Sequence, residues 1–287
     1  MSDLSRWNAP VLLQAENLWF HYTSDSGMEA PSKTSLDSGS AEAGGENGGR
    51  NTVQLDPVES KAVIQDFSLS LDAGEFIALV GPSGCGKSTL LKLLGGFLPP
   101  DRGRVLWRGE PLKGPGPNRV MVFQEFDQLF PWKRVRANVE FPLKHGGGGG
   151  DSSIRLRDKK ARAERVRAML QEVGLYEAHR HFPYQLSGGM KQRTALARAL
   201  VCRPDMLLMD EPFGSLDAQK REELQGQLLR MWREHQFAAL FVTHDISEAL
   251  FLADRILVLP TAGGPGHTEI KVDLPRPRDR SSSEFRS

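Results

Sequence analysis

Residues 81–89 read Gly81-Pro82-Ser83-Gly84-Cys85-Gly86-Lys87-Ser88-Thr89 and fit the pattern G-x-x-x-x-G-K-S/T. The apolar run before them, residues 75–80, is typical of a buried strand. The run after them, residues 89–94, favours a helix that ends at two glycines. A glycine-rich turn at a helix N-terminus aims consecutive backbone N–H groups at one anion. The stretch therefore predicts a loop that binds the phosphates of a nucleoside triphosphate, and the fit of eight positions in this context disfavours a glycine turn with a chance lysine.

The composition is that of an ordinary globular protein. The chain has 287 residues, enough for one large α/β domain or for one domain with a satellite. Hydrophobic residues make up 39% and the net charge is +1, so nothing global points to nucleic acid or to an anionic membrane. Two cysteines, Cys85 and Cys202, argue against a disulfide framework and fit a reducing cytoplasm. No apolar run reaches the length of a membrane span, and residues 1–10 lack a secretion signal, so membrane association is expected through a partner.

Strands and helices alternate along the chain, which predicts a parallel sheet covered on both faces. The predicted strands are 11–22, 63–71, 75–80, 104–108, 120–124, 206–209, 238–243 and, as the last strand, 255–259. The predicted helices are 89–94, 153–173, 190–200, 219–234 and 246–253. Residues 23–60 are poor in large apolar residues, which predicts a disordered insertion, and five glycines at 146–150 predict a flexible linker.

Polar residues follow several of the predicted strands, where ligands of parallel sheets bind. Lys87 can reach the β- and γ-phosphates and Ser88 can offer a hydroxyl to Mg²⁺. Asp210, after an apolar strand, can hold Mg²⁺ directly or through its waters, and the adjacent Glu211 can polarise an attacking water. The alternative for this acid pair is a cap for the next helix.

Two further strand ends carry candidates for the same site. His244 can hydrogen-bond the γ-phosphate or hold the attacking water. Gln124 is a candidate ligand of Mg²⁺ or of water. Four polar strand ends together predict one shared site.

A second anion-binding helix start lies about a hundred residues after the first. It is formed by Ser187, Gly188 and Gly189, within the stretch Leu186 to Arg193. Both helix starts could serve one nucleotide, or each could serve half of two. The simpler interpretation, a plain helix cap by Ser187, is compatible with phosphate contact.

With these motifs in their order, the chain resembles the ATP-binding subunit of ABC transporters over roughly residues 11–260. Residues 81–88 are similar to its Walker A motif, Gln124 to its Q-loop, 186–190 to its signature, 206–211 to its Walker B motif, 215–217 to its D-loop and His244 to its switch histidine. The resemblance implies a RecA-like P-loop NTPase core with a parallel sheet, a small antiparallel β subdomain and an inserted helical subdomain at about 128–190. It implies a cassette at 11–262, followed by an extended tail at 263–287.

The resemblance also implies a mechanism and a set of site residues. Two subunits would pair head to tail, with ATP between Walker A of one and the signature of the other. Glu211, His244, Gln124 and Lys87 would carry catalysis, and Ser88, Gln124 and Asp210 would hold Mg²⁺. ATP would contact residues 81–89, Ser187, Gly188, Gly189 and Asp217, with Tyr22 stacking on adenine and Trp19 and Phe20 in the core or at its rim. Met190 departs from the glutamine that the family often has there.

Subfamily features point to the nitrate, sulfonate and taurine importers. They are residues 114–119, Leu129-Phe130-Pro131-Trp132, residues 211–217 and the tail 274–280. By resemblance, residues 124–140 would form the groove for a membrane permease, with Trp132 either in contact with it or in the core of the helical subdomain. The implied partners are a second subunit, the permease and, indirectly, an extracytoplasmic solute-binding protein, at the cytoplasmic face of the inner membrane. The alternatives are a soluble ABC ATPase acting on DNA or ribosomes, which usually carries a coiled-coil insertion or tandem cassettes, and a scaffold without turnover.

Overall fold

The computed structural model describes residues 10–22, 62–123, 128–145, 158–214, 216–261, 264–280, 282 and 285. The predicted insertion at 23–60, the glycine run at 146–150 and Gln124 lie outside these residues, so the interpretations placed on them stay predictions.

Ten strands and six α-helices make up the described part of the chain. The strands are β1 (Val11–Phe20), β2 (Ile64–Asp72), β3 (Phe76–Val80), β4 (Arg102–Trp107), β5 (Glu110–Pro111), β6 (Arg119–Val122), β7 (Met206–Asp210), β8 (Ala238–Val242), β9 (Arg255–Val258) and β10 (Thr268–Lys271). The helices are α1 (Lys87–Leu94), α2 (Val135–His145), α3 (Lys159–Glu172), α4 (Gly188–Leu200), α5 (Ala218–His235) and α6 (Ile246–Leu252). None of the helices in these ranges is both long and apolar enough to cross a membrane.

The strands form two sheets. One has the order β10-β9-β3-β8-β7-β6, and its strands β9, β3, β8, β7 and β6 are parallel, as the alternation of strands and helices predicts. The other is antiparallel, with the order β2-β1-β4-β5. The implied P-loop NTPase fold is confirmed.

Three elements differ from the predictions. The two-residue strand β5 was not predicted, and both of its residues are exposed. β9 is not the last strand, because β10 pairs with it antiparallel; all four side chains of β10 are exposed, so it carries no burial pattern that a sequence could reveal. α2 was not predicted as a helix. It contains Pro142, a residue that ordinarily ends a helix.

The two glycine-rich helix starts belong to opposite faces of the parallel sheet. Along β7, Met206 and Leu208 pack in one core with α1 and the antiparallel sheet. Leu207 and Met209 point the other way and pack in a second core with α2 to α6. α1 and α4 are therefore separated by the sheet, and each is anchored by leucines whose burial contributes roughly 1.5–3 kcal/mol apiece.

Arg255 joins the two sheets beside the start of β3. Its guanidinium donates hydrogen bonds to Glu75 at 2.5 and 2.9 Å and to the backbone oxygen of Ser70 in β2. Burial raises the pKa of Glu75 although Arg255 holds its carboxylate. The contact fixes the antiparallel sheet to the strand that leads into the phosphate loop.

Candidate nucleotide-binding site

The phosphate loop depends on a glycine directly before α1. Gly86 has a φ of 100°, a left-handed conformation that side chains disfavour. A Cβ at this position would lie 2.9 Å from Ile64 Cδ1 and 3.0 Å from Val63 Cγ1. The loop therefore requires glycine here for two reasons, backbone conformation and space.

We expect Gly86→Ala to lower ATP affinity by at least about ten-fold, because the loop must shift to relieve both the strain and the clash. Gly109→Ala is the matched control, since Gly109 has a φ of 82° and a Cβ added there would meet nothing within 4 Å. The control should cost about 1 kcal/mol of stability and leave ATP affinity unchanged. Titration with a fluorescent ATP analogue, with urea unfolding alongside, measures both; equal affinities for the two variants would contradict this account.

The Lys87 side chain folds back over the phosphate loop and contacts its first residues. Its side chain is buried, and its ammonium donates hydrogen bonds to the backbone oxygens of Gly81 at 2.9 Å and Pro82 at 2.7 Å. Phosphate oxygens that enter the loop compete with these two carbonyls for the ammonium. The lysine is thus held at the mouth of the loop, in reach of an anion bound there.

The Walker B acids face two different partners. The Asp210 carboxylate lies beside the Ser88 side chain, and burial raises its pKa. Glu211 has a φ of 42°, a left-handed conformation that costs about 1–2 kcal/mol, and its Oε2 lies 3.4 Å from Nδ1 of His244. The backbone turn therefore sends one acid toward the phosphate loop and the other toward the end of β8.

The helix-capping alternative for these acids does not hold. The next helix, α5, is capped by Asp217, whose Oδ1 accepts from the backbone N–H of Lys220 at 3.1 Å. The Lys220 ammonium, 2.6 Å from the other oxygen, holds the pKa of Asp217 below its usual range. Asp217 thus acts as a helix cap and remains half-exposed.

Ser88 and Asp210 have the chemistry of a magnesium site. Both offer oxygen ligands, which Mg²⁺ prefers, and the Asp210 carboxylate lies beside the Ser88 side chain. The raised pKa of Asp210 marks a buried carboxylate that a cation would stabilise. The residues present therefore fit Mg²⁺; Gln124, the third candidate, lies outside the described residues.

Tyr22 lies beside the phosphate-binding helix. Its hydroxyl is 3.1 Å from the hydroxyl of Thr89, and its ring meets Phe20 edge-on at 5.0 Å. Phe20 is buried and Trp19 is half-buried, as the sequence predicts, whereas the Tyr22 ring is 49% exposed. Of these three aromatics, Tyr22 offers the most surface for stacking on a base.

The signature helix start is well formed but lies apart from the phosphate loop. Ser187 caps α4 by accepting from the Met190 N–H at 3.4 Å, and Gly188 and Gly189 form the first turn. The Met190 side chain packs against the helical core, which explains an apolar residue at this position. Because α4 and α1 are on opposite faces of the sheet, one chain does not bring its two anion-binding helix starts together.

The structure decides between the two predicted positions of Trp132, and it shows two residues that the sequence predictions missed. Trp132 is 70% exposed, so it is not a core residue of the helical region. Thr243 and Glu248 are buried beside His244 and hydrogen-bond each other at 2.7 Å. An acid four residues after His244 was the only sequence signal for this pair, and it is indistinguishable from a helix surface position.

Residues 64–214 match the family model described as "ABC transporter". With this match and with the arrangement of β3, α1 and β7, the chain belongs to the ABC transporter family and is an ATPase of the ATP-binding cassette type.

The chain is similar to the ATP-binding subunits of several importers. It is 48% identical over 221 residues to the nitrate import ATP-binding protein NrtD of Synechococcus elongatus, covering 75% of this chain and 77% of that protein. It is 43% identical over 226 residues to the aliphatic sulfonates import protein SsuB of Bacillus licheniformis, covering 79% and 84%. It is 43% identical over 214 residues to the taurine import protein TauB of Escherichia coli O157:H7, covering 75% and 79%.

The structure is similar to a solved cassette in a dimeric, post-hydrolysis state bound to ADP and Pi. That protein, MJ0796, is 26% identical, with a TM-score of 0.67, and the match covers 92% of this chain and 100% of that one.

Proposed function

We propose that the chain is the ATP-hydrolysing subunit of an importer for a small anionic solute, either nitrate, an aliphatic sulfonate or taurine. The observation that carries the proposal is the meeting of Ser88 with Asp210 and of Glu211 with His244 at the ends of adjacent parallel strands. The similar identities to three importer subunits support the solute class, and they favour no one solute within it.

Each site residue has a role that its geometry supports. The N–H groups of residues 81–89 and the Lys87 ammonium bind the β- and γ-phosphates of ATP. Glu211 accepts the proton of the attacking water, and His244, 3.4 Å away, orients that water and the γ-phosphate. Tyr22 stacks on adenine.

Ser88 and Asp210 would hold Mg²⁺, with Gln124 as a third ligand. Bound there, Mg²⁺ would neutralise charge on the phosphates and so favour their transfer to water. The buried Asp210 carboxylate is stabilised in turn by the cation.

The second half of the site comes from another copy of the chain. The first turn of α4, at Ser187, Gly188 and Gly189, lies across the sheet from α1, so a head-to-tail partner supplies it to the phosphates. Asp217, half-exposed at the start of α5, lies at the same junction. The dimeric state of the similar cassette supports this arrangement.

A permease docks beside the Q-loop, within a cassette at 11–262 whose helical subdomain spans about 128–190. A cavity of about 330 Å³ between β6, α2 and α4 is lined by, among others, Val122, Phe130, Phe141 and Arg198. Trp132, next to it, is exposed and its ring lies 5.6 Å from that of Phe130. An apolar rim around a groove fits a permease helix better than nucleic acid. The similarity to importer subunits supports a place at the cytoplasmic face of the membrane, with an extracytoplasmic binding protein delivering the solute.

The proposal is tested in the source organism with the gene deleted. We expect the deletion strain to lose growth on nitrate, an alkanesulfonate or taurine as sole source of nitrogen or sulfur. Wild-type protein should restore growth, whereas Lys87→Ala should not. Loss of the positive charge that contacts the phosphates lowers turnover by about 10²- to 10³-fold. Normal growth of the deletion strain on all three sources would overturn the proposed solute class, and restoration by Lys87→Ala would overturn the requirement for hydrolysis.

A further inference from the structure

A network of hydrogen-bonded polar residues leads from the C-terminal segment to the residues beside His244. Arg280 donates a hydrogen bond to Oε1 of Gln225 in α5. Nε2 of Gln225 donates to Oε1 of Glu248 in α6 at 2.8 Å. Oε2 of Glu248 accepts from the Thr243 hydroxyl at 2.7 Å. Gln225, Glu248 and Thr243 are exposed by 0%, 6% and 2%, so water does not replace these bonds.

Arg280, at the outer end of this network, fixes which group donates and which accepts in each hydrogen bond. An arginine can only donate, so Arg280 holds the carbonyl oxygen of Gln225 toward itself and turns the amide NH₂ toward Glu248. A carboxylate can only accept, so Glu248 takes one bond from Gln225 and one from Thr243. The Thr243 oxygen is then left to accept the backbone N–H of Asp245 at 3.0 Å. Each group has one orientation as long as Arg280 is in place.

The network ends on both neighbours of His244. Thr243, before it, is also held by its backbone N–H, which donates to the Leu79 oxygen at the end of β3. Asp245, after it, caps α6. The His244 ring itself is 67% exposed and faces Glu211, so its orientation depends on the backbone that the network holds.

Other charged groups lie around the same carboxylate. Arg221 of α5 is 3.7 Å from Glu248 and 3.6 Å from Asp245, and Asp245 and His244 itself face Glu248 from the start of α6. Burial raises the pKa of Glu248. Arg221 thus balances the charge of the pocket, whereas Arg280 determines the orientation of its hydrogen bonds.

The C-terminal segment is built to bring Arg280 to this point. Arg278 donates to the backbone oxygens of Leu250 at 2.7 Å and Ala253 at 2.6 Å, at the end of α6. Burial lowers the pKa of Arg278 to about 10, so it stays charged at neutral pH. The guanidinium of Arg280 also lies 4.4 Å from the centre of the Phe251 ring.

We infer that Arg280 is a positioning residue for ATP hydrolysis, which acts through Gln225 and Glu248 on the backbone that carries His244. The inference rests on the proposed role of His244 in hydrolysis. It assigns a function in turnover to a tail that lies outside the nucleotide-binding motifs.

The test measures steady-state ATP hydrolysis by the purified full chain. Arg280→Gln is expected to lower kcat by about 3- to 10-fold with KM for ATP changed less than about two-fold, because only the geometry of His244 is disturbed. Arg280→Lys, whose ammonium can only donate, should recover at least half of the wild-type kcat, whereas the glutamine amide can donate or accept and leaves the orientation of Gln225 unfixed. The control is Glu222→Gln, which removes the exposed ion-pair partner of Arg280, 3.2 Å away, and should leave kcat unchanged.

A double-mutant cycle separates positioning from a general loss of structure. In a His244→Ala background, Arg280→Gln should cause no further loss, because the residue through which it acts is gone. Glu248→Gln, with the same shape, should reproduce the kcat loss and serves if Arg280→Gln does not fold. A wild-type kcat for Arg280→Gln, or an equal loss with and without His244, would overturn the inference. Failure of the proposed function has a different signature, namely full turnover by Lys87→Ala.

Discussion

Replacing Glu211 with Gln is expected to lower the rate of ATP hydrolysis by about 10²- to 10³-fold and to leave ATP binding within about three-fold of wild type. The amide keeps the size of the side chain but cannot accept the proton of the attacking water. The phosphate contacts of Lys87, Ser88 and Asp210 stay in place, because Glu211 points away from them toward His244. ATP should therefore bind and persist, and the ATP-bound dimer should accumulate.

Phosphate release and size-exclusion chromatography with and without ATP measure the two effects. Glu177→Gln is the matched control, since Glu177 is an exposed glutamate between α3 and α4. It should hydrolyse ATP at the wild-type rate. Phosphate release by Glu211→Gln within about three-fold of wild type would remove Glu211 as the base, and a variant that stays monomeric with ATP would count against the shared site.

Mixing two inactive variants is expected to restore ATP hydrolysis if the site is built from two copies. Lys87→Ala lacks the phosphate lysine, and Gly189→Asp places a negative charge at the start of α4 that repels phosphate. A Cβ at Gly189 meets only Lys220 Cδ at 3.7 Å, so the substitution fits the fold. In a head-to-tail heterodimer, one site combines an intact loop with an intact signature, so a 1:1 mixture should recover about a quarter of wild-type activity.

The control mixture pairs Lys87→Ala with Glu211→Gln. Both residues belong to the same half of the site, so neither site of the heterodimer is intact and no activity should return. No recovery with Gly189→Asp would show that each chain completes its own site. Recovery in the control mixture would show that Lys87 and Glu211 of one site come from different copies, and it would overturn the proposed division of the site. Steady-state phosphate release after overnight mixing reads out both cases.

Local sequence determined the parts of the site that depend on one element at a time. Three parts of the site are of this kind: the loop at 81–89, the strand that ends at Asp210 and the cap at Ser187. Each is marked in the sequence by apolar residues next to residues with a special backbone or side-chain chemistry. Such patterns repeat over a few residues, so they indicate a strand, a loop or a helix start without further information. The parallel sheet followed from their alternation.

Tertiary structure alone decided how these parts face one another. Asp210 and Glu211 are adjacent in sequence, yet a left-handed turn at Glu211 sends them to different partners. The faces of the sheet occupied by α1 and α4 depend on how the chain crosses over between strands, which no local pattern records. The bonds from Arg280 to Gln225 and from Gln225 to Glu248 join residues far apart in the chain, with no periodic signal. The phosphate loop could therefore be predicted from the sequence. Its separation from the signature helix start, and the buried hydrogen bonds that hold the backbone of His244, arise only when distant segments pack together.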